Sequence, residues 1–425
     1  VILATGYTLL PACENWQRFS DFASAIFYQA LAPYKSGGRL NIPRVTSFVN
    51  LASITSANAV ITTSGIVAGG TSINASSSID ITSAGAGTST SAVSLSGTGM
   101  LDASASAGAT KGAYYFSSTG DILTGTVSYP VASTVSLIST GAILSIAGNI
   151  TGGNVTLNAA DGISGPGTIT ATTLSFIGGS GSPILATINT QNLSVNGSGV
   201  SASLEIIGAK TTGTTNILTS NLATEGSLTI TSNQALNVTG AITAGEGVAL
   251  GRSAGAAGTT GIDVLAPITT TSLMLTTFGA DNIVVGPKAV ITSANVDLDA
   301  GGSVGSKSAP ILLNTAAGGS VTANAQAGSM YLSQAGAGTV NAQGTGGATQ
   351  AGVITGTGPI LNIGNVSAAS VTIADTYKTG AIDLGSGTVG VSGSNVTVTA
   401  PGSITQDANG TVNGSFIKIT STAGD

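Results

Sequence analysis

Three ten-residue stretches share one pattern: Asn154-Val-Thr-Leu-Asn-Ala-Ala-Asp-Gly-Ile163, Asn295-Val-Asp-Leu-Asp-Ala-Gly-Gly-Ser-Val304 and Asn395-Val-Thr-Val-Thr-Ala-Pro-Gly-Ser-Ile404. In each, two apolar residues flank one polar residue, so both apolar side chains fall on the same face of a short strand. Small and turn-forming residues then end the strand. The copies start 141 and 100 residues apart, which is about seven and five units of 20. A second marker is a proline before a strand, in Pro183-Ile-Leu, Pro267-Ile-Thr, Pro310-Ile-Leu and Pro359-Ile-Leu, at steps of 84, 43 and 49. Those are about four, two and two units of 21 to 25. Proline fits there because the first strand residue can spare its N–H.

The same apolar-x-apolar triplet recurs from about Val45 to the end, for example at Val93/Leu95, Leu174/Phe176, Leu228/Ile230, Leu273/Leu275, Val371/Ile373 and Ile417/Ile419. A unit of about 20 residues is too small for a propeller blade, which needs roughly 40. It suits one coil of a parallel β-helix, in which each strand pairs with its equivalent one turn away, at roughly 4.8 Å per turn. Composition agrees with that geometry. Of 425 residues, 62 are glycine and 7% are charged, against roughly 25% charged in an ordinary domain. A thin core is filled by Val, Ile, Leu and Ala, corners such as Asn196-Gly197, Asn409-Gly410 and Asn413-Gly414 turn sharply, and outward positions are mostly Thr and Ser.

The first 45 residues are different material. Eight of the 17 aromatic residues lie in the first 50. Between about Glu14 and Leu31, Trp16, Phe19, Phe22, Ala23, Ile26 and Ala30 recur at helical spacing, and Pro33 and Gly37-Gly38 end the pattern. The expected organisation is a helical cap or subunit-contact segment over 1–45 and a β-helix rod over 46–425. A possible side loop lies at 100–130, where Tyr114, Tyr115 and Phe116 form the one aromatic cluster beyond that N-terminal segment. Those rings are either a local packing cluster, the plainer reading, or a loop that stacks on a glycan or a neighbouring chain.

The residue inventory narrows the chemistry. There is no histidine and one cysteine, so no Cys/His zinc site and no internal disulfide can form. Leu10-Pro11-Ala12-Cys13 is similar to a lipoprotein processing site, but proline suits such a box poorly and no basic region precedes it, so Cys13 is expected to be a small buried thiol. A net charge of −6 without a basic cluster argues against nucleic acid. No run of 18 apolar residues offers a transmembrane helix. Gly251–Gly261 lacks the Gly-Lys-Ser/Thr ending of a phosphate loop, and no calcium-binding nonapeptide is present, so no cofactor or metal is expected. Asp297 and Asp299 flank Leu298 and point to one side, the spacing a pair of catalytic carboxylates uses. Two solvated outward acids are the plainer reading, and no catalytic residue is assigned.

The blocks N-V-T-L-N-A-A-D-G-I, followed by G-T-I-T-A-T-T-L-S-F, and N-V-T-V-T-A-P-G-S-I-T-Q resemble the repeat region of filamentous-haemagglutinin-type bacterial surface proteins. The resemblance covers roughly residues 50–425. It implies a secreted, right-handed β-helical rod that acts as an adhesin or surface fibre on the bacterial cell surface, and not an enzyme. No counterpart of that family's amino-terminal secretion domain is evident.

A β-helix exposes unpaired backbone at each end, an edge hazard unless covered. The aromatic segment can cover one end, and Phe416-Ile417-Lys418-Ile419 lies at the other. The first expectation is therefore a head-to-tail homopolymer joined through Trp16, Phe19, Phe22, Ile26, Phe27, Phe416, Ile417 and Ile419. The alternatives are a monomeric adhesin stalk whose loops bind surface glycans or host cells, and a polysaccharide-degrading enzyme.

Overall fold

The computed structural model describes residues 34–35, 39–45, 48–49, 52–179, 183–197, 201–208, 214–222, 226–253, 260–344 and 350–422. The expected helix at 14–31 lies outside them, as do Cys13, Trp16, Phe19, Phe22, Ile26 and Phe27. Among the described residues there is no helix. They form forty short strands, and every pairing between those strands is parallel. The protein is a parallel β-solenoid with about 21 residues per turn.

The repeat block shows how the coil is built. Strand Asn154–Ala159 lies between Thr134–Ser139 and Thr168–Gly178, with Val155 between Val135 and Leu174, and Leu157 between Leu137 and Phe176. Leu174 and Phe176 then stack on Leu193 and Val195. Val135, Val155, Leu174 and Leu193 thus form one column, in which each lap lays its apolar pair on the pair before it. All of these side chains are buried. Because a strand alternates faces, the residues between them, such as Thr156 and Ser175, point outward. Laps differ in length: the one that carries Ile184 to its partner Ala202 is short, and the one from Ala86 to Tyr114 is long. The ladder constrains strands and leaves corners free to take up extra residues.

The proline marker coincides with strand starts: Ile184, Ile268, Ile311 and Ile360 each open a strand immediately after the proline. Asn196-Gly197, by contrast, ends a strand within the ladder and pairs with Asn221-Leu222. Some inward polar residues near strand ends bond backbone groups. Ser139 Oγ donates to the Gly120 carbonyl at 2.8 Å, and Thr215 Oγ1 to that of Thr190 at 2.9 Å.

Two expected boundaries change. Tyr34–Lys35 and Arg39–Val45 already pair in parallel with Ser53–Thr63, so the coil begins ahead of residue 46. The segment 100–130 is not a side loop. Met100–Ala105, Ala113–Ser118 and Ile122–Ser128 are all rungs of the solenoid. Tyr114 and Phe116 occupy the inward positions of their strand and are fully buried. Tyr114 has room because the small Ala86 is its neighbour on one side, with Val135 on the other, and Phe116 lies between Val93 and Leu137.

Truncation of a stacked core residue and of its outward neighbour should differ sharply. Leu157→Ala is expected to cost about 2–5 kcal/mol. Thr156→Ala should stay within about 0.5 kcal/mol. Urea unfolding followed by circular dichroism measures both, and equal effects would contradict the inward and outward assignment.

Candidate functional site

Asp297 and Asp299 lie on strand Val290–Ala300, where Val296, Leu298 and Ala300 point inward and the two carboxylates outward. The sequence reading of this pair's direction therefore holds. Their vertical neighbours are Met274 and Thr322 for Asp297, and Thr276 and Asn324 for Asp299. Asp299 Oδ1 accepts a hydrogen bond from Asn324 Nδ2 at 3.1 Å and lies 3.5 Å from Gln326 Nε2, both from the next lap. Partial burial, and then the neighbouring charge of Asp299, raise the Asp297 carboxyl above the usual aspartate range. The geometry thus makes Asp299 a rung of a vertical polar ladder. Asn192, Asn216 and Asn237 form a second one, with amide-to-amide bonds of 3.0 and 3.4 Å across consecutive laps. Thr82 and Ser104 bond through their hydroxyls in the same way at 3.2 Å.

Tyr114 and Phe116 present no stacking face to a ligand. Tyr114 packs against Tyr129 with ring centroids 3.5 Å apart, and its hydroxyl donates to the Ser83 carbonyl at 3.2 Å. Of the three rings, Tyr115 alone points outward. Sequence alone misplaced Tyr114 and Phe116 because three adjacent aromatics obscure the alternation that buries two of them and turns the third out.

Phe416, Ile417 and Ile419 lie on the last described strand, Phe416–Ser421, which pairs with Asn395–Ala400. Ile417 and Ile419 stack on Val396 and Val398, both fully buried, yet are themselves 44% and 50% exposed. They are core positions by register, and no further described lap covers them.

Two buried charged sites were not signalled by the sequence. Arg252 takes an inward position at the end of its strand, in register with Ser232, and its Nη1 lies 2.8 Å from Asp281 Oδ2. Both side chains are withdrawn from solvent. Asp375 is also buried, and its carboxyl accepts the Tyr377 N–H at 2.8 Å. It fills space left by two glycines: a Cβ on Gly356 would lie 2.7 Å from Oδ2, and one on Gly380 2.3 Å from Oδ1. Burial raises the Asp375 carboxyl above its ordinary range, and the Tyr377 N–H opposes that in part. Apolar periodicity carries no trace of such sites, since Arg252 and Asp281 are distant in sequence and meet only through coiling.

Against known families, curated proteins and solved structures, the chain finds no match.

Breaking the ion pair from one side should be costly, because it strands a charge. Asp281→Asn is expected to lose about 3–5 kcal/mol, whereas the apolar double replacement Arg252→Met/Asp281→Leu should recover most of it. Urea titrations of the two variants test this, and equal losses would contradict a paired site. For Asp375, a folded-state pKa above the unfolded value means that stability is complete below the unfolded value of about 3.9 and falls as pH rises through the folded one. Asp375→Asn keeps the oxygen that accepts the Tyr377 N–H, so it should flatten that decline and raise the melting temperature at neutral pH. An unchanged pH profile would contradict the burial argument.

Proposed function

We propose that this chain is a non-enzymatic structural protein, the β-solenoid rod of an extracellular surface fibre or adhesin, as its resemblance to filamentous-haemagglutinin-type repeats suggests. The observation that carries this reading is the stack itself. Lap follows lap with one narrow apolar core, and many of the outward positions along it are hydroxyl and amide side chains in vertical ladders. Such a body can extend by adding laps and can meet solvent without strong charge. It also resists local unfolding, because each lap is hydrogen-bonded to two others.

The lap at Phe416–Ser421 is a stacking surface for one more lap, supplied by continuing chain or by another copy. The fibre form of the proposal takes it from another copy, as a heterologous end-to-end contact that builds an open filament.

Electron microscopy of the purified protein, together with antibody labelling of intact producing cells, tests this reading. The expected result is narrow rods, joined end to end, and label on unpermeabilised cells. Ile417→Asp should shorten the filaments, since it puts a charge where an apolar side chain is to be covered. Compact particles, or label reached only after permeabilisation, would overturn the proposal.

A further inference from the structure

Near its last described laps the solenoid surface is concave. Four successive laps line a groove of about 410 Å³. One wall is the vertical column Thr339, Asn362 and Asp383, in register from lap to lap. Asn341 and Asn365 form the other, with Ser386 and Asp407 beyond them. Gly364, Gly385 and Gly387 also line the groove. A Cβ on Gly364 would lie 2.2 Å from Asn341 Oδ1, and one on Gly387 2.4 Å from the Gly364 carbonyl, so glycine at both positions lets the preceding lap pack closely and leaves the Asn341 amide in place.

Its walls are organised for hydrogen bonding. Asn341 Oδ1 accepts the Asn365 N–H at 2.9 Å, and Asn365 Oδ1 accepts the Thr388 N–H at 2.9 Å. Asn362 Nδ2 donates to the Ala337 carbonyl at 2.6 Å. Asp383 Oδ1 accepts from the Gly385 N–H and the Thr405 hydroxyl, each at 3.1 Å. Every one of these side chains is anchored at one end by a neighbouring lap or turn, which fixes the other end: an amide NH2 on Asn341 and Asn365, an oxygen on Asn362 and Asp383. Donors and acceptors held in this way lose little entropy when they bind. The lining carries two carboxylates, Asp383 and Asp407, and neither cation nor aromatic ring. Such a groove repels anions.

We propose that this groove binds an extended, uncharged glycan lying along the rod axis, about one sugar to a lap. Vicinal hydroxyls both donate and accept, and so complement an amide NH2 beside a carboxylate oxygen. A β-1,4-linked hexose chain advances per sugar by about the height of a lap. With no ring to stack on, each sugar contributes modestly, and affinity accumulates with length. The surface-rod reading supplies the setting for this proposal but none of its chemistry, and the binding test below is independent of filament formation.

Calorimetric titration of the full chain with β-1,4-linked glucose and N-acetylglucosamine oligomers tests it, with oligogalacturonate as the acidic comparison. For at least one neutral series, the hexamer should bind with Kd of about 1 mM or tighter and about tenfold better than the dimer. Ser386→Phe, which fills the groove from an exposed position, should weaken the hexamer about tenfold, and Asp407→Ala should weaken it too; both should keep the parent melting temperature. Neither hexamer binding at about 10 mM, equal affinity for dimer and hexamer, preference for the acidic oligomer, or indifference to Ser386→Phe would each overturn the proposal.

Discussion

Parallel pairing between one lap and the next is the constraint on which the remaining features of this protein depend. Once Val155 is held between Val135 and Leu174, every other residue of the strand also has a fixed vertical neighbour. Like then stacks on like. An apolar residue buries against apolar residues above and below, and an outward hydroxyl or amide meets another at ladder distance. A one-residue slip would turn the whole strand inside out, so apolar alternation maintains register from lap to lap.

That constraint also governs where charge can go. Outward acids are tolerated when the next lap offers an amide, as Asn324 does for Asp299. Inward charge requires either a partner, as for Arg252 and Asp281, or a carboxyl held in space that glycines leave, as for Asp375. Glycine therefore has three uses in this chain. It turns corners, it admits a buried polar group, and along the groove at 364–387 it lets neighbouring laps approach closely. In the last case the backbone of one lap lies where a side chain of its neighbour would otherwise project.

Much of the architecture was legible in the sequence because a solenoid is nearly one-dimensional. Apolar-x-apolar triplets at a spacing near 20 identify strand, inward face and repeat together, and the prolines at 183, 267, 310 and 359 mark strand starts directly. What failed was local. Tyr114 and Phe116 looked like a departure from the core because large rings are rare in it, whereas Ala86 above Tyr114 makes the room. The ion pair and the groove depend on which residues of different laps come into register. Because corners take up extra residues, lap length varies, and spacing in the sequence alone does not say which residues of different laps meet.

Cysteine cross-linking across laps tests the central claim directly. In a Cys13→Ser background, Thr156→Cys should form a disulfide fastest with Ser175→Cys when compared with Thr173→Cys and Ile177→Cys, since only the vertical neighbour, at roughly 4.8 Å, lies within disulfide range. Moving the first cysteine to Asn158 should move the preferred partner to Ile177. A shift toward Thr173 instead would mean antiparallel strands, and no preference at all would mean that these laps do not stack.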